Sequence, residues 1–145
     1  MGKGCSIATR DFGSEPYLIT IGNNVQITND VKFANHGAGW VMRKKYPKFD
    51  CFGKIKIGNN VYIGNNVMIM PGVTIGSNVI IGAGSVVTKS FADDVIIAGN
   101  PAKVIGAIQN YEAKMLPYNL DTKGMNYNEK KNYLLGVTDD LFIKR

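Results

Sequence analysis

The chain has 145 residues, which suits one domain with a short appendage, and its 17 basic and 11 acidic residues give a net charge of +6. That charge favours an anionic partner, but no stripe of basic residues interleaved with aromatic ones appears, which argues against nucleic acid. No apolar run reaches the ~20 residues of a membrane span, no signal peptide opens the chain, and Cys5 and Cys51 have no metal or redox spacing. We therefore expect a cytoplasmic protein with reduced thiols and no metal.

A six-residue period dominates the chain. It starts at Ile21, Ile27 and Phe33, and it resumes in the same register with apolar residues at Ile57, Ile63, Ile69, Ile75, Ile81 and Val87. These residues are the lead positions of the hexads. Four positions after each lead residue from Ile57 to Ile81 comes a small residue, at Val61, Val67, Val73, Val79 and Ser85. The period predicts a solenoid in which three hexads close one triangular coil and successive coils pair as parallel strands about 4.8 Å apart.

Two further positions of the hexad indicate corners. Glycine recurs directly after the lead residue, at Gly58, Gly64, Gly76 and Gly82, and asparagine recurs two positions later, at Asn24, Asn60, Asn66 and Asn78. Both residue types tolerate left-handed backbone geometry, so we expect both to serve the turns between strands.

The period is interrupted once and then ends. Residues 38–53 are aromatic and basic and predict a loop inserted into the stack. Residues 93–105 predict a last coil that leaves the stack, and the tail predicts helices at 108–115 and 128–135, the second capped by Gly136. We therefore divide the chain into a repeat domain, 1–106, and a helical extension, 107–145, which we expect to cover the open end or to pack on a neighbouring subunit.

Three segments point to a family. Residues 81–89 (IGAGSVVTK), residues 98–105 (AGNPAKVI) and the pair Asn35-His36 before the loop resemble the hexapeptide-repeat acyltransferases, over about residues 4–106. Within that family the chain is similar to the maltose, galactoside and xenobiotic acetyltransferases. Residues 12–19, together with the Asn-His pair and the loop, look most like capsule or lipopolysaccharide O-acetyltransferases.

The resemblance implies an all-β, left-handed parallel β-helix that uses acetyl-CoA, usually as a homotrimer with its active sites between subunits. It implies that His36 is the catalytic base. It also implies that the acetyl-CoA contacts come from Tyr62, Asn65, Ala83, Thr88, Lys89, Pro101 and Lys103. Lys89 and Lys103 would neutralise the phosphates of acetyl-CoA, although most lysines are simply solvated.

The acceptor side is less defined. Many relatives have an acidic residue after the histidine where this chain has Gly37, so a backbone carbonyl or a carboxylate from Asp11 or Glu15 would have to orient the imidazole. The candidate acceptor contacts are Asp11, Glu15, Asn35, Trp40 and Tyr46. The two aromatic residues could stack on a sugar ring or pack on another subunit. Lys44, Lys45 and Lys48 could meet a charged acceptor or remain solvated.

The chemistry of acetyl transfer to a hydroxyl needs a base, and histidine, with an ordinary pKa near 6.5, is suited to accept and return a proton at neutral pH. We therefore expect an O-acetyltransferase that acts on a sugar or polysaccharide precursor through a ternary complex. N-acetylation of an amino sugar, acetylation of an antibiotic and a non-catalytic scaffold remain alternatives. Zinc chemistry is excluded, because the chain has one histidine and such a site needs three.

Overall fold

A computed structural model describes residues 1–144, and the first 108 of them wind around an apolar axis as short parallel strands. The winding strands are β1 (Ser6–Ile7), β2 (Ile19–Ile21), β3 (Val25–Ile27), β4 (Lys32–Phe33), β5 (Ile55–Ile57), β6 (Val61–Ile63), β7 (Met68–Ile69), β8 (Thr74–Ile75), β9 (Val79–Ile81) and β10 (Val86–Val87). Two longer strands follow, β11 (Val95–Gly99) and β12 (Ala102–Ala107).

The strands form the three faces of a triangular coil. Sheet A has the order β1-β3-β6-β9-β11-β12, sheet B has the order β10-β7-β4, and sheet C has the order β2-β5-β8. We name each corner by the faces it joins. In the second coil the CA corner is 58–60, the AB corner is 64–66 and the BC corner is 70–72. The fold is a left-handed parallel β-helix, as the family resemblance implied.

The register confirms the 18-residue coil. Ile57 pairs with Ile75 and Val61 pairs with Val79, each 18 residues further along the chain. Between the first and second coils the partners are 36 residues apart, as for Ile21 and Ile57. The loop after His36 therefore adds as many residues as one coil, and the hexad continues in phase on its far side.

The core is the stack of lead and fourth positions that the period predicted. Ile57, Ile63, Ile69, Ile75, Ile81 and Val87 are buried, and so are Val61, Val67, Val73, Val79 and Ser85. Side chains between them, such as Lys56 and Tyr62, point outward because successive residues of a strand face opposite sides. Any functional side chain of this unit must therefore lie on an outer face, at a corner or in the loop.

Asparagine at the corners has the predicted geometry. Asn24, Asn60 and Asn78 have φ of 52°, 53° and 55°. Their side chains also bond from coil to coil, because each amide nitrogen donates to the side-chain oxygen of the next coil, over 2.8 Å from Asn24 to Asn60 and 2.9 Å from Asn60 to Asn78. The series ends where Asn78 donates to a carboxylate oxygen of Asp94 over 3.0 Å.

Glycine at the corners has a different role from the one expected. Gly22, Gly58 and Gly64 do not have positive φ values, so the prediction of left-handed geometry is wrong for them. Instead, they touch the next coil. A Cβ on Gly58 would lie 2.6 Å from the carbonyl carbon of Gly76, and one on Gly64 would lie 2.7 Å from the backbone nitrogen of Ala83. Glycine is required here because backbones of successive coils meet at the corners.

The stack ends in a hairpin. Strand β11 runs parallel to β9 and continues sheet A, and β12 returns antiparallel to β11. This is the predicted last coil, which leaves the stack after Gly99 by reversing direction.

The remaining residues, from Gln109 onward, form a second unit with two helices. Helix α1 (Ile108–Met115) has the predicted bounds and α2 (Tyr127–Leu135) begins one residue before its predicted start. Asn126 and Glu129 form a reciprocal capping box at the start of α2, and neither helix has a buried residue. What the tail covers stays a prediction. Within residues 1–144, no helix is long and apolar enough to cross a membrane.

The asparagine series can be tested by replacing Asn60 with glycine, which keeps the left-handed backbone and removes two side-chain hydrogen bonds. We expect Asn60→Gly to lower the free energy of unfolding by about 1–2 kcal/mol, because each exposed bond contributes roughly 0.5–1 kcal/mol. Asn66→Gly is the matched control, since Asn66 has a φ of 58° and makes no side-chain hydrogen bond within the described residues. Equal denaturant midpoints for the two variants would show that the series contributes nothing.

Candidate active site

His36 lies on a short stem that closes the inserted loop. The backbone nitrogen of Gly37 donates to the carbonyl of Cys51 over 2.8 Å, and that of Gly53 donates to the carbonyl of Asn35 over 2.9 Å. His36 faces Phe52 between these two bonds, as in an antiparallel pair. The stem holds the backbone of His36 at the BC corner of the first coil, and its side chain is exposed.

Asn35 anchors this corner from the inside. It is fully buried, and its amide nitrogen donates to the carbonyl of Glu15 over 2.7 Å and to that of Phe12 over 3.3 Å. A side chain this buried cannot touch an acceptor, so the structure corrects the expectation that Asn35 does so. Asn35 instead fixes residues 12–15 against the backbone that carries His36.

The imidazole has a backbone partner. Its Nδ1 lies 3.4 Å from the carbonyl oxygen of Gly37, and because a carbonyl only accepts, this contact is a long hydrogen bond in the tautomer that carries the proton on Nδ1. That leaves the lone pair on Nε2, the atom that would accept a proton from a substrate. Neither Asp11 nor Glu15 bonds to the ring within residues 1–144, and a carboxylate oxygen of Glu15 accepts from the Ser14 hydroxyl over 2.8 Å.

Steric crowding explains why the residue after His36 is glycine. A Cβ on Gly37 would lie 2.5 Å from the sulfur of Cys51 on the opposite side of the stem. An acidic side chain at this position would not fit without moving this sulfur. Here a backbone carbonyl takes the place of a carboxylate beside the imidazole.

The other candidate acceptor residues are spread over two places. Asp11 lines an open groove of about 670 Å³ with Arg10, Asp30 and Lys32, and His36 does not line it. Trp40 and Tyr46 lie on the loop, where Trp40 is 82% exposed and Tyr46 is about half covered at 48%. The structure does not bring these side chains together around one acceptor.

Three of the candidate acetyl-CoA residues lie on sheet A and the AB corner. Tyr62 projects from the middle of β6 and is 41% exposed. Asn65 and Ala83 occupy equivalent positions at the AB corners of the second and third coils. The side-chain oxygen of Asn65 accepts from the backbone nitrogen of Asn29 over 3.2 Å, which leaves its amide nitrogen and one oxygen lone pair for a ligand.

The other four lie elsewhere on the same unit. Thr88 and Lys89 are exposed at the BC corner of the third coil, two coils from His36, a separation of about 10 Å along the axis. The Lys89 ammonium lies 5.6 Å from the centre of the Phe91 ring. Pro101 precedes β12, and Lys103 is exposed on it opposite Ala98.

These positions divide the candidate site between two sides of the coil. His36, Thr88 and Lys89 share the BC corner, whereas Tyr62 lies on sheet A, the face opposite that corner. In a triangular coil a face and its opposite corner point in opposite directions, with the apolar core between them.

Sequence reasoning missed the residues that contact the backbone on either side of His36. Gly13 has a φ of 68°, and a Cβ on it would lie 2.7 Å from the side-chain oxygen of Asn35. Neither this contact nor the one between Gly37 and Cys51 leaves a periodic signal in the sequence. Within residues 1–144, no group of three or more His, Cys, Asp or Glu side chains is placed to hold a metal ion.

Comparisons with known proteins identify the family. The model "Bacterial transferase hexapeptide (six repeats)" matches residues 54–89. Protein CapG of Staphylococcus aureus is 60% identical over 139 residues, which cover 93% of this chain and 81% of that protein. The chain belongs to the hexapeptide-repeat acyltransferase family.

Other members of the family share part of the chain. The galactoside O-acetyltransferase of Escherichia coli (strain K12) is 44% identical over 98 residues, which cover 66% of this chain and 47% of that protein. The hexapeptide-repeat acetyltransferase from Vibrio cholerae has a TM-score of 0.62 at 28% identity, covering 74% of this chain and 61% of that one. A galactoside acetyltransferase in complex with coenzyme A has a TM-score of 0.51 at 28% identity, covering 77% and 68%. This chain thus spans about half of the Escherichia coli enzyme.

The role of Asn35 can be tested through Gly13. Gly13→Ala introduces left-handed strain of about 1–2 kcal/mol and also forces Asn35 to move, so we expect it to lower both stability and kcat. Gly4→Ala is the matched control, because Gly4 has a φ of 69° and its added Cβ would meet nothing closer than 3.9 Å. It should lower stability alone. If Gly13→Ala keeps the wild-type kcat per folded molecule, Asn35 does not position His36.

Proposed function

We propose that this protein transfers an acetyl group from acetyl-CoA to a hydroxyl of a sugar or polysaccharide precursor, with His36 as the general base. The observation that carries the proposal is the state of His36, which is exposed at the loop stem with Nδ1 directed to the Gly37 carbonyl and Nε2 free. Family membership supports the acyl transfer, and the galactoside O-acetyltransferase of Escherichia coli supports a sugar hydroxyl as acceptor.

The reaction proceeds in one displacement within a ternary complex. Nε2 of His36 takes the proton of the acceptor hydroxyl as its oxygen attacks the thioester carbon. The carbon–sulfur bond breaks, and the imidazolium returns the proton to the leaving thiolate. A backbone N–H in the cleft stabilises the oxyanion, a contribution of about 3 kcal/mol in comparable enzymes. The hydrogen bond to Gly37 keeps the ring in the tautomer that this sequence of steps needs.

Acetyl-CoA fits the remaining candidate residues. The side chains at the AB corner become smaller from Gly64-Asn65-Asn66 to Gly82-Ala83-Gly84 in the next coil. The space beside Gly84 is open, because a Cβ there would meet nothing within 4 Å. This opening leaves room for the pantetheine arm beside Tyr62. Lys89 and Lys103 supply exposed cations for the phosphates. We place the reaction in the cytoplasm, where acetyl-CoA is available and the free thiols of the chain stay reduced.

The active site forms between copies in a homotrimer. The placement of His36 at the BC corner and of Tyr62 on the opposite face supports this, because only a second copy can bring the two side chains to one ligand. A cyclic trimer repeats the same contact three times and so makes three equivalent sites.

Replacement of His36 tests the chemistry. We expect His36→Ala to lower kcat by about 10²–10⁴-fold, because the variant lacks the base, while acetyl-CoA binding and thermal stability stay unchanged since the side chain is exposed. Thiol release from acetyl-CoA over a panel of sugars and amino sugars provides the measurement, and calorimetry provides the binding control. Near wild-type turnover by His36→Ala would rule out the mechanism.

Mixed oligomers test the placement of the site. Ala83→Trp fills the AB corner, so it and His36→Ala should each be inactive alone. Co-expression with different tags should restore about a quarter of the wild-type activity, because half of the chains supply each intact surface at random. If both surfaces of a site came from one chain, the mixture would be as inactive as its components. Light scattering gives the number of copies.

A further inference from the structure

The net charge of the protein is concentrated in the segment of sequence that contains His36. Residues 32–56 contain seven of the 17 basic residues and one of the 11 acidic residues, which leaves ten of each in the rest of the chain. This segment therefore carries the whole net charge of +6, and the other 120 residues are neutral in sum. A charge distribution of this kind attracts an anion to one place and not along a face.

The structure leaves most of these cations without a carboxylate. Asp50, the one acid of the segment, pairs with Arg43 over 3.5 Å, and Arg43 also donates from Nε to the Phe49 carbonyl over 3.0 Å. Both contacts are internal to the loop and hold its two halves together. Lys44, Lys45 and Lys48 are exposed, and no other ion pair occurs within residues 1–144.

The loop also offers a flat apolar surface beside its charges. A short helix, Gly39–Lys44, carries Trp40 on its first turn, and this side chain is 82% exposed. The ammonium of Lys45 lies 5.3 Å from the centre of the Tyr46 ring. An indole face on the same loop as several lysines can stack on a planar or sugar ring while the lysines meet its charged substituents.

The ligand of this loop must have a high charge over a short length. A sugar with one carboxylate would need one cation, and an anionic polymer would need basic residues along a face, whereas the surface outside residues 32–56 is neutral in sum. Two adjacent phosphates match three neighbouring lysines best. The phosphates of acetyl-CoA have other candidates in Lys89 and Lys103, which lie two or more coils away along the axis.

We infer that the loop of residues 38–53 binds the diphosphate of an activated acceptor, so that the protein acetylates a sugar while it is still linked through a diphosphate. This rests on the proposed function and names its substrate class. The diphosphate lies against Lys44, Lys45 and Lys48, and Trp40 packs on the adjoining ring. The sugar then reaches Nε2 of His36 at the base of the same loop. The acetyl transfer itself is unchanged.

The experiment compares each sugar in three forms: free, linked to uridine diphosphate, and linked to a short polyprenyl diphosphate. Thiol release gives KM and kcat, and calorimetry with uridine diphosphate alone gives binding without turnover. The variant replaces Lys44, Lys45 and Lys48 with glutamine. The matched control replaces Lys114, Lys123 and Lys131 with glutamine, which removes the same charge from the tail.

We expect the diphosphate-linked sugars to have a KM at least about tenfold below that of the free sugars, and the loop variant to abolish this difference while the tail variant keeps it. The KM for acetyl-CoA should not change in the loop variant, and Lys103→Gln should raise it. A preference for the uridine or for the polyprenyl form identifies the source of the diphosphate, and either form supports the inference.

Three outcomes would overturn the inference. The first is equal KM values for free and diphosphate-linked sugars. The second is a loop variant that loses binding of acetyl-CoA but keeps binding of the acceptor. The third is calorimetry in which an anionic polysaccharide binds more tightly than uridine diphosphate. The first, with turnover intact, leaves the proposed acetyl transfer standing. Conversely, binding of uridine diphosphate that depends on the loop, without transfer to any sugar, supports the diphosphate site and refutes the proposed function.

Discussion

Backbone contact between successive coils is the constraint on which the rest of the molecule depends. Parallel strands of the solenoid lie about 4.8 Å apart, and at the corners nothing separates one coil from the next. Gly22, Gly58 and Gly64 occupy positions where any side chain would enter the backbone of the following coil. On the strands between the corners, side chains alternate between the packed interior and the outer surface. The protein therefore has no flexible interior in which to build a site, and its chemistry is confined to the surface.

The inserted loop shows how a site arises on such a scaffold. The insertion lengthens the first coil by 18 residues and leaves the register intact, since Ile21 still pairs directly with Ile57. The loop can therefore vary in sequence and charge without disturbing the core. It is not loosely attached, because the stem bonds of Gly37 and Gly53 and the buried amide of Asn35 fix both of its ends. His36 thus combines the rigidity of the coil with the exposure of a loop.

The sequence predicts what is periodic and misses what is not. The buried rows from Ile57 to Val87 and the left-handed asparagines follow from the hexad, since each position has the same environment in every coil. The close contact that requires glycine at the corners does not follow from the hexad. The contact partner of Gly58 lies 18 residues away along the chain and becomes adjacent only when the coil closes. Asn35 and Gly37 are similar cases. Their partners, Glu15 and Cys51, come from segments outside the repeat, so no spacing in the sequence connects them.

The asparagine series along the CA corner has a direction. Each amide donates toward the C-terminal coils, and the series stops at Asp94, whose carboxylate can only accept and has no N–H for a further coil. Strand β12 is the last strand of sheet A and runs antiparallel to β11. The parallel register of the earlier coils therefore does not continue beyond β11. A stack of identical coils could otherwise grow by adding copies end to end into a fibre. In this chain the asparagine series ends at Asp94 and β12 reverses the strand direction, so the regular stack of parallel coils stops at its last turn.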